Sequence, residues 1–580
     1  MRKSKAKSKR KSAKSSAKNA TQPETPALSR KEERALQRKK AREKAEFIQY
    51  AGAIFGAAAA LGLVLAAATG EVKVAAGAIV GIPCIALSYK YPRQALWAFL
   101  AYLPINGTVT YWLAGGNALF QLAKDAFFIP AAIKLVQDCQ RKALPILIPK
   151  GLFPFLGILL TFLILTLFIV NGSLQMDGAG GKPFLQGILG IKVMVGYVPL
   201  IFCAYYLIRN KKDLVFLGRL HLVLAILCCL LGLVQYWMLD SGRCAGTRGL
   251  VGEDLFKASL EAKCFVGGSV VFSPEVDMIR LPGTFVSPWH WAWFLISNSA
   301  LTFTTAFSDP VILWRFAGLG GMALVFVNAV ISGQRIALML VPVVTVLLLI
   351  LTGQIANLKR FLPIGIGLAV LLIGVSASNP EVLQGRIDSM VSRWEASPPT
   401  AFITQQFEWA MSKTDGDIFG DGLGRATNST RVFGEVELVE TFHPKILFET
   451  GPFGLGSFML VMTALTFFTF KAYRSVKDRS LRSYGASFWV FVLIISYWPY
   501  WYPLDTDPVA VYYWFLAGVI LKLPKLDQQE QLLKAAQEEA EEQENGKTDK
   551  KKGKGKTAKG KSVKGKSVKK QRLQRARGRP

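Results

Sequence analysis

The chain has 580 residues, a formal net charge of +31 and a composition that is 51% hydrophobic. Charge and apolar content are segregated: residues 1–46 and the last part of the chain are rich in Lys, Arg, Ser and Gly, and the middle carries repeated apolar runs. Runs of about 18–22 apolar residues span a bilayer as helices, so the pattern excludes a soluble globular chain and predicts an all-α polytopic membrane protein with basic tails.

In chain order, residues 1–46 read as a disordered basic cytoplasmic tail, because Arg2–Lys18 is low-complexity and cannot bury a core. The first apolar run lacks a small-residue cleavage site and reads as a retained span, not a signal peptide. Spans are expected near 47–69, 73–90, 94–112, 118–137, 151–171, 187–208, 213–239, 289–307, 311–331, 335–352, 360–377, 450–472, 485–502 and 508–523. That makes about fourteen transmembrane helices within a membrane domain at 47–523. The basic connections at Lys90–Arg93, Arg141-Lys142, Arg209–Lys212, Lys359-Arg360 and Lys471–Arg482 fall on one side with both tails. The positive-inside rule makes that side cytoplasmic. Two structured extracytoplasmic loops follow, at about 240–288 and 378–449. Residues 524–580 read as a solvated cytoplasmic helix at Leu526–Glu544 followed by a disordered basic tail at Lys547–Arg579. The tails lack interleaved aromatics for base stacking. Attraction to the anionic lipids of the cytoplasmic leaflet is their expected role, and no specific nucleic-acid partner is expected.

The outer loops hold most of the candidate chemistry. Cys244 and Cys264 share the first loop, and two readings stay open: a disulfide in an oxidising compartment, or two free thiols. Arg280 lies in Met278-Ile279-Arg280-Leu281-Pro282-Gly283-Thr284-Phe285, and Arg335 lies in Ser332-Gly333-Gln334-Arg335 at the opening of the next-but-one span. Each arginine could snorkel to headgroups; an arginine opening an apolar span otherwise faces a pathway or the protein interior. Two guanidinium forks on one face suit a diphosphate. Among Arg386, Arg393, Arg425 and Arg431, Arg425 is the functional candidate, since it follows Gly420-Asp421-Gly422-Leu423-Gly424. Those glycines do not match a P-loop and read as turns. His443, one of three histidines, stands in Thr441-Phe442-His443-Pro444 before Glu449-Thr450-Gly451-Pro452-Phe453-Gly454-Leu455. An imidazole exchanges protons near neutral pH and can serve as a base. Glu449 is a secondary candidate that more often serves the start of the following helix. His290, among Trp289, Trp291 and Trp293, reads as part of an interfacial aromatic belt, as does Tyr497–Tyr502. His221 reads as a packed or cytoplasmic-edge residue. Lys124-Asp125 and Lys192 are charges within apolar runs and read as an internal pair or edge residues. No metal-site pattern is present, and no metal or other cofactor is expected.

The order Arg-x-x-Gly-Thr-Phe, then Ser-Gly-x-Arg, then a long outer loop with Gly-Asp-Gly-Leu-Gly, His443 and Glu449-Thr450-Gly451-x-x-Gly454-Leu455 resembles the O-antigen ligase and O-antigen polymerase superfamily of bacterial membrane glycosyltransferases. The resemblance covers roughly residues 50–520 and is strongest from 278 to 456. It implies an inner-membrane enzyme, with both termini cytoplasmic. The donor would be a polyprenyl-diphosphate-linked glycan, such as one on undecaprenyl diphosphate. Transfer to a glycan, lipid or protein acceptor would occur on the extracytoplasmic face, with inversion and in cell-surface polysaccharide assembly. It implies that Arg280 and Arg335 hold the lipid diphosphate and that His443 matches the essential loop histidine. Pro444 departs from the Asn that often follows this histidine, so the acceptor can differ. Ligase and repeat-unit polymerase are not separated by these residues. A solute or bicarbonate transporter is the competing class, and a membrane scaffold acting through its tails is a third.

Overall fold

The computed structural model describes residues 30–70, 72–113, 115, 123–146, 148–178, 180–247, 263–268, 271–273, 278–355, 359, 362, 366–367, 380–500 and 502–552. The expected span at 360–377 and the outer parts of both tails lie almost wholly outside these residues. Contacts divide the chain into two units, Met1–Leu87 and Ser88–Pro580.

The first unit contains α1 (Arg30–Thr69) and most of α2 (Val72–Lys90). α1 starts well inside the stretch expected to be disordered, which corrects the boundary at 46. Arg30–Glu46 is built from Glu, Lys, Arg, Gln, Ala and Leu, all strong helix formers. Once the apolar run has nucleated a helix, extension into such a sequence costs little. Lys39 and Glu43, four residues apart at 3.9 Å, add a weak exposed pair.

The second unit holds α3 (Pro92–Tyr102), α4 (Ala123–Arg141), α5 (Phe153–Thr166), α6 (Pro183–Val195), α7 (Leu200–Leu207), α8 (Lys211–Asp240), α9 (Pro288–Ser308), α10 (Ile312–Ile331), α11 (Arg335–Leu351), α12 (Pro380–Ala396), α13 (Pro399–Lys413), α14 (Phe442–Ser475), α15 (Arg479–Tyr497) and α16 (Val509–Lys552). The strands among the described residues are two of three residues each, β1 (Val271–Ser273) and β2 (Met278–Arg280), paired antiparallel with Val271 opposite Arg280. The chain is thus an all-α membrane protein. Among the described residues, seven helices are long and apolar enough to cross a bilayer: Gln37–Thr69, Lys150–Met176, Pro183–Leu207, Lys211–Asp240, Ile312–Ile331, Phe442–Ser475 and Val509–Ala540.

α9 is the axis of the second unit. It is buried on every side from Trp291 to Ser308 and packs against α8, α10, α11, α15 and α16. A helix buried all round needs its polar side chains satisfied locally. Asn298 Nδ2 donates to the Phe294 carbonyl at 2.9 Å, Thr302 Oγ1 to Asn298 O at 2.6 Å and Thr304 Oγ1 to Ala300 O at 2.7 Å. His221 on α8 is a packed residue, its ring edge-on to Tyr512 at 5.1 Å.

α16 corrects another boundary. The last span and the expected solvated helix at Leu526–Glu544 are one continuous helix, and its junction is buried at Leu526 and Asp527. The Asp527 carboxylate accepts from the backbone amides of Lys477 at 3.0 Å and Asp478 at 2.9 Å. It thereby holds the connection between α14 and α15. Asp478 in turn caps α15 by accepting from the amides of Ser480 and Leu481.

Candidate functional site

The first-loop candidates fold onto the end of α8. Cys244 and Cys264 are bonded, with their Cα atoms 5.7 Å apart. Gln235, buried near the end of α8, donates Nε2 to the carbonyls of Cys264 at 2.9 Å and Gly283 at 3.2 Å. The disulfide segment is therefore tied to the turn that follows Arg280. Gly283 adopts a φ of 55° and lies against the Trp291 indole, where a side chain has no room. The amide of Leu281, the residue after Arg280, donates to the Ser332 carbonyl at 3.0 Å. This bond brings the Arg280 segment beside the turn that opens α11 at Arg335. Both arginines are half-buried.

His443 stands at the second position of α14. Gly451, with φ 70° and ψ −179°, breaks that helix into a short first segment and a long second one. A Cβ at Gly451 would strike the Ile418 carbonyl, so the glycine of Glu449-Thr450-Gly451 has a local structural cause. The Gly420–Gly424 turn wedges beneath this break. Asp421 N donates to the Phe448 carbonyl at 2.7 Å, and Leu423 N donates to Asn171 Oδ1 at 2.9 Å. Gly420, Gly422 and Gly424 all have positive φ, which fits a turn. Glu449 Oε1 accepts from Ala426 N and Thr427 Oγ1, each at 2.8 Å, so this carboxylate clamps the same turn onto α14. Arg425 pairs with Asp421 and donates to its carbonyl at 3.1 Å. Burial pushes the Asp421 carboxyl above its ordinary range, and Arg425 pulls it back. Arg425 and Glu449 thus share one structural turn next to the helix that carries His443.

The His443 imidazole is half-buried. Its Nε2 is buried without a hydrogen-bond partner within the protein. The ring lies beside Phe442, which packs edge-on against Phe458 at 5.7 Å.

From sequence, Tyr497–Tyr502 reads as part of an aromatic belt. In the fold, residues 498–500 and 502–508 lie as a strap across the start of α14. The Phe442 amide donates to Pro499 O at 2.6 Å, and Thr441 bridges Tyr500. Tyr500 Oη donates to Pro399 O at 2.8 Å, and Tyr502 Oη donates to Val439 O. Tyr502 itself sits in the left-handed region at φ 47°. Two buried ion pairs anchor the strap: Lys445 with Asp505, and Lys124 with Asp507. Asp507 has His290 and Lys192 within electrostatic reach. Lys192 pairs with Asp125 at 2.8 Å. Lys124, Lys192 and Asp125 are therefore members of an internal ionic cluster. His290 bonds to Ser287 and borders that cluster. Sequence reading set His290 aside and passed over Lys445, Asp505 and Asp507. The available signal was that Lys445 and the two aspartates stand amid apolar residues, where a charge calls for a partner.

Lys445 ties the start of α14, two residues after His443, to the strap through Asp505. Among the described residues, no group of three or more His, Cys, Asp or Glu side chains is placed to hold a metal ion. Comparison with models of known protein families and with curated proteins finds no match.

Proposed function

We propose that the protein is a membrane glycosyltransferase of the O-antigen ligase type, transferring a polyprenyl-diphosphate-linked glycan to an acceptor on the extracytoplasmic face of a bacterial inner membrane. The observation that carries this reading is His443: a half-buried imidazole whose Nε2 has no protein partner, on a helix start fixed by the strap. The Leu281–Ser332 bond supports it, because it brings two arginine-bearing segments together.

In this reading, the acceptor oxygen attacks the anomeric carbon and gives its proton to His443 Nε2. The bond from the anomeric carbon to the diphosphate oxygen breaks, and the lipid diphosphate leaves with the electron pair. Arg280 and Arg335 stabilise the negative charge that develops there. A single displacement inverts the anomeric configuration. The seven long apolar helices fit the coarse architecture, and the fuller count of about fourteen spans belongs to this proposal. Both termini are then cytoplasmic, and the tails face anionic lipid.

The test uses purified protein in lipid with a polyprenyl-diphosphate-linked glycan and a candidate acceptor, reading glycan transfer and release of the lipid diphosphate. Arg280→Lys and Arg335→Lys keep charge and lose the bidentate fork, so each should weaken transfer. Normal transfer by both variants would remove the arginines from the site. The transporter reading retains one observation in its favour, the ionic cluster among apolar helices. Solute flux in proteoliposomes without transfer activity would replace the enzyme reading.

A further inference from the structure

The ionic cluster contains more than scaffolding requires. Lys445 is only 2% exposed in its side chain, and its partner Asp505 is 11% exposed. The Lys445 ammonium also lies 5.7 Å from the centre of the Tyr502 ring. Removing two charges from water is expensive, and an apolar pair of similar volume commonly gives equal or better stability. Such a pair is therefore a weak means of stabilisation and a strong means of fixing one geometry. Its location fits the second role. Lys445 lies two residues after His443 on the short helical segment that ends at Gly451. Asp505 ends the turn Pro503–Asp505, directly after Tyr502 with its left-handed backbone. A non-glycine residue held at positive φ needs surroundings that over-determine it. Tyr502 has them in Val439, Lys445 and Asp505.

We infer that Lys445 is a positioning residue for His443: its ion pair with Asp505 locks the first segment of α14 to the strap and so sets where the imidazole meets the acceptor. This inference rests on the reading of His443 as the base. Three contacts hold the segment laterally, at Phe442–Pro499, Thr441–Tyr500 and Val439–Tyr502. All three lie on the N-terminal side of His443. The Lys445–Asp505 pair lies on its C-terminal side. The far end of the segment is held by the Asp421–Phe448 bond and the Glu449 clamp, so the pair is the contact to the strap between those points and His443, and its loss frees the turn that carries the imidazole. A misplacement of about 1 Å can cost a hundredfold in rate.

The experiment compares Lys445→Met/Asp505→Leu, which replaces the pair with apolar side chains, and Asp505→Asn, which keeps shape and loses charge. Asp309→Asn serves as a control, because the buried Asp309 pairs with the part-buried Arg219 at 2.8 Å, between α8 and the end of α9, and touches neither the strap nor the start of α14 in that pair. Each variant is purified folded and assayed for transfer across a range of donor concentrations. The expected result is a kcat lower by about ten- to a hundredfold in both strap variants, with the donor KM within about twofold of the unaltered protein, and an unchanged kcat in the control. Unaltered kcat in either folded strap variant would overturn the inference. So would an equal loss in the control, or failure of both strap variants to fold, since the pair would then be structural. His443→Ala is measured alongside. If it turns over normally, the base assignment fails whatever the pair does. If it is inactive while the strap variants are normal, only the positioning claim fails.

Discussion

The amide of Leu281 donates to the carbonyl of Ser332 at 3.0 Å, joining segments that are separated in sequence by all of α9 and α10. The bond sets the segment of Arg280 beside the turn that opens α11 at Arg335. The Arg280 segment is in turn tied through the Gly283 turn and Gln235 to the disulfide segment.

The disulfide should therefore matter to more than the first loop. Cys244→Ser or Cys264→Ser is expected to cost about 2–4 kcal/mol of stability, the usual range for a native bridge. Donor affinity should fall as well, because Gln235 holds Cys264 and Gly283 together. Thermal unfolding and donor binding, with and without reductant, measure both effects. Unchanged donor affinity in a folded serine variant would uncouple the bridge from the arginine surface.

Gly451→Ala should be among the most damaging small substitutions in the chain. The residue needs φ 70°, and its Cβ would meet the Ile418 carbonyl. Backbone strain of this kind costs about 1–3 kcal/mol before the clash is added. The expected result is a much lower yield of folded protein. A normal yield and unfolding temperature would show that the helix break can form without glycine.

Asp478 supplies a pH dependence. Burial acts to raise its carboxyl, but the Leu481 amide, Lys211 and Lys534 outweigh that effect and hold it below the ordinary range. A depressed folded-state pKa stabilises the fold above the unfolded-state value of about 3.9, and this contribution is lost as pH falls through the lower folded value. Asp478→Asn keeps a good helix cap and loses the titration, so its stability should fall less on acidification. Melting curves between neutral and acidic pH test this, and parallel acid losses in both proteins would contradict it.

Sidedness is open to labelling. Asn428 and Val432 are exposed on the segment between α13 and α14. Cysteine at either position should react with an impermeant reagent applied from outside the cell. Cys139, Cys203, Cys228 and Cys229 are buried, and the half-buried Cys84 is replaced by serine to keep the background low. Reaction only after permeabilisation would reverse the orientation and place the candidate site on the cytoplasmic face.

The apolar runs were legible in the sequence because a bilayer-length helix is a local property: among the described residues seven helices are long and apolar enough to cross a membrane, and the expected span at 360–377 lies almost wholly outside those residues. The start of α1 at Arg30 was missed because charge was read as disorder, whereas Glu, Lys, Arg and Ala are also good helix formers. The Gly-Asp-Gly-Leu-Gly turn was legible as a turn, since its glycines announce positive φ. The strap was not. Lys124 and Asp507 are 383 residues apart, and no local pattern tells a lysine on α4 which carboxylate it will meet. His290 was hidden for the same reason: three tryptophans around it suggest an interface, and the neighbouring Asp507 is visible only in the fold.

The most direct measurement is the turnover of purified His443→Ala, made together with donor binding and thermal unfolding on the same sample. The account expects folding and donor binding close to those of the unaltered protein, because the arginine-bearing segments and the strap remain. Glycan transfer should fall by about a hundredfold or more, the scale of losing a general base. A correctly folded His443→Ala protein that transfers glycan at the unaltered rate would contradict the account.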